Sequence, residues 1–299
     1  MNKTFGLLST LILLSVLALD WSSGYAIAGY VIKNGVSPLG YAFWQFFGSF
    51  LALFIIQMIR RDLHLKKFNI KYALGCSILG LIIPNIVTFN VARYIDSGIL
   101  TAIANLTPLI VYPLTVILKM ERLRWGRLLF IIWGMIGVFS LIHIKINFDY
   151  ITDFNLLKYF LLALTIPFFY ASSMIFVARF KPMDGNILNY SFSMLLIASC
   201  IICPYVLSNN NYYPLKFDDF KSFLIIIEVL LSTIGYLLMF LIINRVGAVL
   251  FALVSPLTMV FGLFYGSIIF KQKLELSSYI SILIILTAIL LLIYTNKRD

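Results

Sequence analysis

Long apolar stretches determine what this chain can fold into. About 20 mostly apolar residues allow an α-helix to cross the hydrocarbon core of a membrane. The runs are continuous rather than alternating in short segments, which favours helices over membrane strands. The sequence therefore predicts an all-α membrane protein with ten transmembrane helices. The ten predicted spans are residues 6–32, 38–59, 71–93, 97–118, 125–144, 156–178, 187–207, 222–244, 246–270 and 276–294.

The composition supports a membrane protein without room for a soluble domain. Of the 299 residues, 62% are apolar and 12% are charged, whereas roughly 25% of the residues of a soluble domain are charged. The first stretch has only Lys3 before it and no small-residue cleavage motif before Lys33. We interpret it as an uncleaved first helix and not as a secretory signal.

The basic residues predict the orientation of the chain. With a cytoplasmic N-terminus and ten spans, 15 of the 23 Lys and Arg residues fall on the cytoplasmic side. This excess agrees with the positive-inside rule. We therefore predict a multi-pass protein of the cell inner membrane with both termini in the cytoplasm. The net charge of +11 then reflects topology and attraction to anionic membrane lipid, and no nucleic-acid partner is predicted.

The two halves of the chain are similar to each other at an offset of 148–149 residues. We predict a first five-helix repeat at residues 1–146, an outer linker at 147–155 and a second repeat at 156–299. The matching segments are Trp21-Ser22-Ser23 with Tyr170-Ala171-Ser172, Tyr41 with Tyr190, and Leu106-Thr107-Pro108-Leu109 with Val254-Ser255-Pro256-Leu257.

An odd number of spans in each half has a direct consequence. The second half must enter the membrane from the side opposite to the first, so the two repeats are inverted. Inverted repeats recur in secondary transporters, which bind substrate near the membrane midplane between the halves and work by alternating access.

Short motifs occur in a fixed order along the spans. Trp21 lies near the middle of the first span, Ser37-Pro38 opens the second, and Pro108 of the fourth is followed by Glu121. In this order, the chain resembles ten-helix, EamA-type members of the drug/metabolite transporter superfamily over essentially its whole length.

Two polar positions depart from the pattern of that family. The Arg that often follows the early Pro by seven residues is Gln45 here, and the acidic residue of the second repeat is Gln272. The resemblance implies two five-helix repeats, transport of a small organic metabolite and export as its direction. Any role that the family gives to those two positions does not carry over to this chain.

Asp20 is one of only two acidic residues inside the apolar spans, since the other ten lie in connections or at the chain end. A charge at the bilayer centre costs roughly 2.5–3.5 kcal/mol even on the insertion scale, and such groups usually face a bundle interior or a wet cavity. Ser23 and Gly24 share its helix face. We interpret Asp20 as a cation-pairing or proton-titrating group that lines a central cavity. A carboxyl that caps a neighbouring helix is the structural alternative.

Glu228 is the second acidic residue inside a span. It lies in the outer third of the eighth span, with Ser232 and Gly235 on its face. We expect it to be nearer water than Asp20, so its charge is less costly there. Whether the two carboxyls meet is open at this stage.

Further candidates complete the predicted site. Amides and aromatic rings can contact a substrate, although polar side chains also join helices in membranes. A proline inside a span frees the carbonyl four residues earlier, so prolines at matched positions of the two repeats suggest gating. The substrate-binding candidates are Asp20, Trp21, Ser23, Asn85, Asn105, Tyr170, Glu228 and Tyr236, and the gating candidates are Pro108 and Pro256.

The same observations limit the function. No Lys or Arg lies well inside a span, which disfavours a phosphate or nucleotide cargo. We predict a secondary active transporter of a small metabolite, either an amino acid or a related zwitterionic or weakly cationic compound. Proton coupling and oligomeric state are open. A membrane scaffold without cargo is the main alternative.

An intramembrane enzyme is a third and weaker class. The chain has only two histidines, His64 and His143, and no H-E-x-x-H motif. We interpret Cys200 and Cys203, a C-x-x-C pair without a nearby His, as structural apolar residues. No metal and no cofactor are predicted.

Overall fold

The structure is a computed structural model. All regular secondary structure in the residues it describes is helical, as predicted, and a five-residue π-helical segment, Ile78–Ile82, joins α3 to α4. The described residues are 6–61, 69–91, 94–95, 100, 103–142, 154–182, 186–208, 211–216, 218–270 and 276–296. The helices are α1 (Leu7–Lys33), α2 (Pro38–Ile59), α3 (Ile70–Ser77), α4 (Ile83–Val91), α5 (Thr107–Ile117), α6 (Trp125–Ile142), α7 (Phe154–Ala163), α8 (Thr165–Arg179), α9 (Ile187–Ser208), α10 (Phe220–Phe251), α11 (Val254–Phe270) and α12 (Leu276–Asn296).

Seven helical segments are long and apolar enough to cross a membrane, and three shorter apolar helices accompany them in the described part of the chain. The multi-pass membrane class is therefore confirmed, whereas the count of ten spans stays a prediction. The long segments are Leu8–Lys33, Pro38–Ile59, Ile70–Thr88, Leu156–Arg179, Ile187–Ser208, Phe220–Phe251 and Leu276–Thr295. The shorter ones are Thr107–Ile117, Trp125–Ser140 and Val254–Tyr265.

Two predicted features lie partly or wholly beyond these residues. Of the predicted linker, residues 147–153 lie outside the described residues, and Phe154 and Asn155 begin α7. Gln272, the departure in the second repeat, also lies outside them.

The start of α2 follows from its sequence. Ser37 is the N-cap, and its hydroxyl accepts a hydrogen bond from the backbone N–H of Gly40 at 2.9 Å. Pro38 occupies the first helical position. A backbone N–H has no intrahelical acceptor at that position, so proline loses no hydrogen bond there. The Ser-Pro motif thus fixes where the second helix begins.

The gating prolines do not lie in the middle of continuous helices. Pro108 and Pro256 each occupy the first turn of a helix, α5 and α11, and the turns 105–106 and 252–253 precede them. Because proline cannot bond to the carbonyl four residues earlier, the helix breaks before it. The expected kinks are therefore breaks, and they fall at matched positions of the two halves.

The backbone kinks close to the predicted boundary between spans 222–244 and 246–270. Helical residues extend from Phe220 to Phe251, but Gly247 within them is non-helical, with φ 84° and ψ 174°. Only glycine adopts this conformation readily. The kink thus lies two residues beyond residue 245, and a second break follows before Pro256.

Helix packing relates the two halves of the chain. The contact between α1 and α11 has a counterpart in the contact between α8 and α5, the equivalent helices of the other half. The contact between α2 and α10 likewise has a counterpart in the contact between α9 and α3. Two further pairs, α2–α9 and α6–α12, each join equivalent helices of the two halves. Exchanging the halves therefore leaves most of the major contacts in place.

Equivalent helices run in opposite directions where they touch. On α2 and α9, Gln57 donates to the carbonyl oxygen of Leu188 at 3.4 Å, whereas the earlier Phe50 packs on the later Phe192 with ring centroids 5.2 Å apart. The α6–α12 pair is also antiparallel, since Gly134 faces Ala288 whereas the later Gly137 faces the earlier Ile285.

One side of α1 is exposed and apolar. Leu8, Ile12, Val16 and Leu19 recur at helical spacing and are each 45–70% exposed. An uninterrupted apolar face of this length is typical of contact with lipid.

A short connection, residues 211–216, covers the beginning of α2. The Trp44 indole N–H donates to the carbonyl oxygen of Tyr213 at 2.8 Å, and the Ser37 hydroxyl donates to that of Asn211 at 2.7 Å. Asp219, the N-cap of α10, accepts from the hydroxyls of Tyr213 and Ser222. We call residues 211–216 the strap.

These hydrogen bonds set the charge state of Asp219. The Tyr213 hydroxyl, helped by Ser222 and by the nearby Lys221, holds the pKa of the Asp219 carboxyl below its ordinary value. A lowered pKa means that the carboxylate stabilises the strap at neutral pH, and that this contribution is lost as the pH falls through the lowered value.

The strap should therefore loosen in acid. We expect amide hydrogen exchange of residues 211–222, corrected for intrinsic rates, to accelerate as the pH falls below the ordinary range of an aspartate. Asp219→Asn should show fast exchange already at pH 7, because the side chain of Asn lacks the negative charge of the carboxylate. Asp218→Asn, in the same connection and exposed, serves as the control. Unchanged exchange in Asp219→Asn at neutral pH would contradict this role.

The close α6–α12 contact also makes a prediction. A Cβ on Gly137 would lie 2.9 Å from the Cγ1 of Ile285 and 3.0 Å from the backbone oxygen of Ser281. We expect Gly137→Ala to destabilise the protein by about 1–3 kcal/mol through overpacking. Gly126→Ala, in the same helix but with nothing within 4 Å, should be neutral or stabilising by up to about 1 kcal/mol. Apparent melting temperatures in detergent check this, and equal shifts for both variants would refute it.

Candidate functional site

Three helices, α1, α2 and α10, converge on the two acidic residues inside the spans. Asp20 on α1 is 7% exposed and Glu228 on α10 is 3% exposed. Both carboxyls are thus buried by protein, and the expectation that Glu228 lies nearer water at the membrane surface stays a prediction. Helices α1 and α2 both pack on α10.

Each carboxyl lies against a glycine of the opposite helix. A Cβ on Gly24 of α1 would lie 2.8 Å from Oε2 and 2.9 Å from Oε1 of Glu228. Likewise, Gly235 of α10 lies directly beneath the carboxyl of Asp20, and a Cβ there would be 2.9 Å from the indole nitrogen of Trp21. Small residues let helix backbones approach closely in membranes. Here the approach makes room for the carboxyls.

This arrangement brings Asp20 and Glu228 together. Gly24 is four residues after Asp20, and Gly235 is seven residues after Glu228. The carboxyls are therefore offset along antiparallel helices by about 6–10 Å, at 1.5 Å of rise per residue. They are close enough to interact electrostatically. The sequence had left this meeting open.

The two oxygens of Glu228 have different surroundings. Oε1 accepts hydrogen bonds from the Gln45 amide at 2.9 Å and from the Ser232 hydroxyl at 2.6 Å. Oε2 is buried and has no hydrogen-bond partner among the described residues. The nearby Tyr41 hydroxyl donates to the carbonyl oxygen of Gly24 at 3.0 Å. One oxygen of this carboxyl is therefore held by hydrogen bonds, and the other has none among the described residues.

Tyrosines surround the acidic pair. Tyr236 lies near both carboxyls and near Tyr25 and Tyr170. Tyr25 lies near Glu228 and its side chain is 67% exposed.

Several predicted residues lie at this site or next to it. Trp21 lies over Gly235, and its ring packs edge-on against Phe251 at 5.9 Å. Ser23 is on α1 as predicted, but its hydroxyl donates to the carbonyl oxygen of Asp20 at 2.7 Å, so its bond is within its own helix.

The two predicted amides have partners elsewhere. The Asn85 side chain donates to the carbonyl oxygen of Leu81 at 2.6 Å, at the end of the π-helical segment that precedes Pro84. This bond is thus made to the backbone of its own helix. Asn105 is buried and its amide contacts the sulfur of Met259 at 3.8 Å, which joins the two broken helices.

The gating candidates meet at a different place. Pro108 and Pro256 line one small apolar cavity of about 20 Å³, together with Gly134 and Met135 of α6 and Ile285 of α12. Matched residues of the two halves thus lie face to face where α6 crosses α12. This cavity is separate from the acidic pair.

Sequence reasoning missed part of the site. Gln45, Tyr41 and Tyr25 were not among the candidates, and all three lie beside Glu228. The signals were present for two of them, because Tyr41 matches Tyr190 in the repeat and Gln45 replaces the Arg that is frequent in similar chains. No sequence signal distinguished Tyr25 from the other aromatic residues.

The site offers carboxylates without the other groups that a metal centre needs. Within the described residues, no group of three or more His, Cys, Asp or Glu side chains is close enough to hold a metal ion. Two acidic groups, an amide, a hydroxyl and several phenols instead suit recognition of a polar or positively charged organic molecule.

Comparison with known proteins identifies the family. One protein of known crystal structure has a similar fold, with a TM-score of 0.77 and 15% sequence identity over 97% of this chain and 98% of that chain. At this identity the likeness shows the fold alone. A search of curated protein sequences gives no significant match. Residues 8–142 and 157–294 each match the EamA-like transporter family, which confirms the resemblance inferred from the sequence motifs. The chain therefore belongs to the EamA-like transporter family, within the drug/metabolite transporter superfamily.

Proposed function

We propose that this protein is a secondary active transporter of a small organic metabolite, an amino acid or a related zwitterionic or weakly cationic compound. The observation that carries the proposal is the acidic pair, in which Asp20 and Glu228 lie against glycines of opposite helices. Buried carboxyls within membrane helices usually mark a substrate or ion pathway. The pair joins α1 of the first half to α10 of the second, which is where a transporter with two repeats binds its cargo.

The proposed architecture is ten spans in two inverted repeats, residues 1–146 and 156–299, joined by the linker 147–155. Support comes from the antiparallel contacts of equivalent helices, α2 with α9 and α6 with α12. The protein would lie in the cell inner membrane with both termini in the cytoplasm, and export would be its direction of transport.

Alternating access is supported by a difference between the two ends of the bundle. Near the proposed cytoplasmic end, Tyr72, Phe176, Tyr190 and Phe240 form a cluster of aromatic rings with centroids 5.2–6.4 Å apart. Here α8 packs extensively on α10. The matched helices of the first half, α1 and α4, have no contact of that extent among the described residues. This difference supports a state in which the two halves pack more closely at the proposed cytoplasmic end.

The residues of the site would have different roles in transport. Asp20 and Glu228 would bind the positive part of the cargo, and Trp21, Tyr170 and Tyr236 would form the aromatic wall. Ser23, Asn85 and Asn105 would contribute polar contacts once their present bonds rearrange. Pro108 and Pro256, at the breaks before α5 and α11, would permit the helices to move during gating. The broken backbone supports this, since fewer helical bonds hold each junction.

The direct test is flux into proteoliposomes across a panel of amino acids and amines, with and without a proton gradient. We expect gradient-dependent uptake of at least one compound. Asp20→Asn should abolish that uptake or remove its dependence on pH, because the amide can neither carry a charge nor exchange a proton. Asp218→Asn should behave as the wild type. No flux for any compound would contradict the proposal, and normal, pH-dependent flux in Asp20→Asn would assign that carboxyl to packing.

A glycine substitution tests the geometry of the site. Gly24→Ala would place a methyl group within 3 Å of the Glu228 carboxyl. The flexible end of that side chain can move aside, so we expect the fold to survive while transport falls about tenfold or more. Gly29→Ala, five residues further along the same helix with nothing within 4 Å, should transport normally. Equal activity of the two variants would argue against a role for this contact.

A further inference from the structure

The charged side chains of the site, Asp20 and Glu228, are both acidic. The two carboxyls lie at the contact between α1 and α10, each against a glycine of the opposite helix, and no Lys or Arg side chain contacts either of them in the described structure. The basic side chain nearest to Glu228 along α10, Lys221, is seven residues away and donates to the carbonyl oxygen of Asn34 outside the span. A ligand bound here would meet negative charge without a compensating cation from the protein.

Glu228 also has bonding capacity that the protein does not use. Its side chain is 3% exposed, and Oε2 has no hydrogen-bond partner among the residues that the structure describes. A buried carboxylate oxygen without a partner is costly. An ammonium group carries three donors and a positive charge, and therefore satisfies such an oxygen better than water or a neutral group does.

The same argument disfavours a carboxylate on the cargo. The α-carboxylate of an amino acid would need a cationic or strongly donating partner. At this site it would instead approach Asp20 or Glu228, and like charges at close range in a poorly solvated site repel each other strongly. The surrounding phenol rings of Tyr25, Tyr170 and Tyr236 favour cations through their negative faces.

From these contacts we propose that the cargo is an aliphatic diamine without a carboxylate, with one ammonium on Glu228 and the other on Asp20. The offset of the two carboxyls along the helices, about 6–10 Å, matches two charges at the ends of a short alkyl chain. A monoamine would leave one carboxyl unpaired. This inference rests on the proposed transport function and narrows its substrate class.

Matched compounds that differ only in the carboxylate test the inference. In proteoliposomes, cadaverine is compared with lysine and putrescine with ornithine, and butylamine serves as the single-charge probe. We expect each diamine to be transported at least about tenfold more efficiently, as kcat/KM, than its amino acid and than butylamine. Lysine or ornithine moving as well as its diamine would overturn the proposal. Butylamine moving as well as putrescine would overturn the two-point contact.

Variants separate a binding role from a structural one. Glu228→Gln and Asp20→Asn should each reduce diamine affinity about tenfold or more, measured by tryptophan fluorescence titration in detergent. Each should also reduce the difference in affinity between putrescine and butylamine. Asp218→Asn should change neither. If both site variants bind diamines normally, the proposal fails.

Failure of this inference and failure of the transport function are distinguishable. Uptake of amino acids without uptake of diamines would overturn the diamine inference and leave transport intact. Absence of uptake for every compound in the panel would overturn both.

Discussion

Burial of two carboxyls at the contact between α1 and α10 is the constraint on which the rest of the structure depends. A charge within a membrane costs several kcal/mol unless it is paired, hydrated or protonated. Gly24 and Gly235 reduce the distance between the helices and leave a space for each carboxyl, and Gln45 and Ser232 satisfy one oxygen of Glu228. The contact would be hard to retain in a scaffold, because apolar side chains would join these helices at lower cost. It is easier to understand if the unsatisfied oxygen receives a ligand.

The contact between α1 and α10 joins two halves of the chain that are related by approximate symmetry. Equivalent helices pack antiparallel, and Pro108 and Pro256 break matched helices at matched places. The symmetry is nevertheless incomplete, because α8 packs on α10 more extensively than α1 packs on α4 in the described residues. The proposed alternating access would exchange which of the two matched contacts is closed.

The fold could largely be predicted from the sequence, since the dominant signal is apolar length and lipid leaves helices as the simplest solution. Ser37 and Pro38 also determined the start of α2 by local chemistry alone. At residues 220–270, Gly247 kinks the chain close to the predicted boundary. The second break, before Pro256, was expected only as a kink inside a span, because the hydrophobic pattern continues through it.

The site could be predicted only in part. Asp20 and Glu228 stood out because their cost in a membrane is large, but their meeting depends on how α1 packs against α10, which no single helix encodes. Gln45 illustrates the same limit, because its importance comes from the Glu228 carboxyl on another helix. Asn85 was a candidate because it is polar and follows a proline, but the sequence did not predict that its amide bonds to the backbone of its own helix.

The central claim is that antiparallel α1 and α10 place each carboxyl against the glycine of its partner helix. Disulfide cross-linking tests it most directly, in a background where Cys76, Cys200 and Cys203 are replaced by serine. The pair Gly24→Cys with Glu228→Cys and the pair Asp20→Cys with Gly235→Cys should both cross-link in membranes. The pair Gly24→Cys with Gly235→Cys, offset by about 10 Å along the helices, should not. Cross-linking of this last pair, or of neither of the first two, would contradict the account.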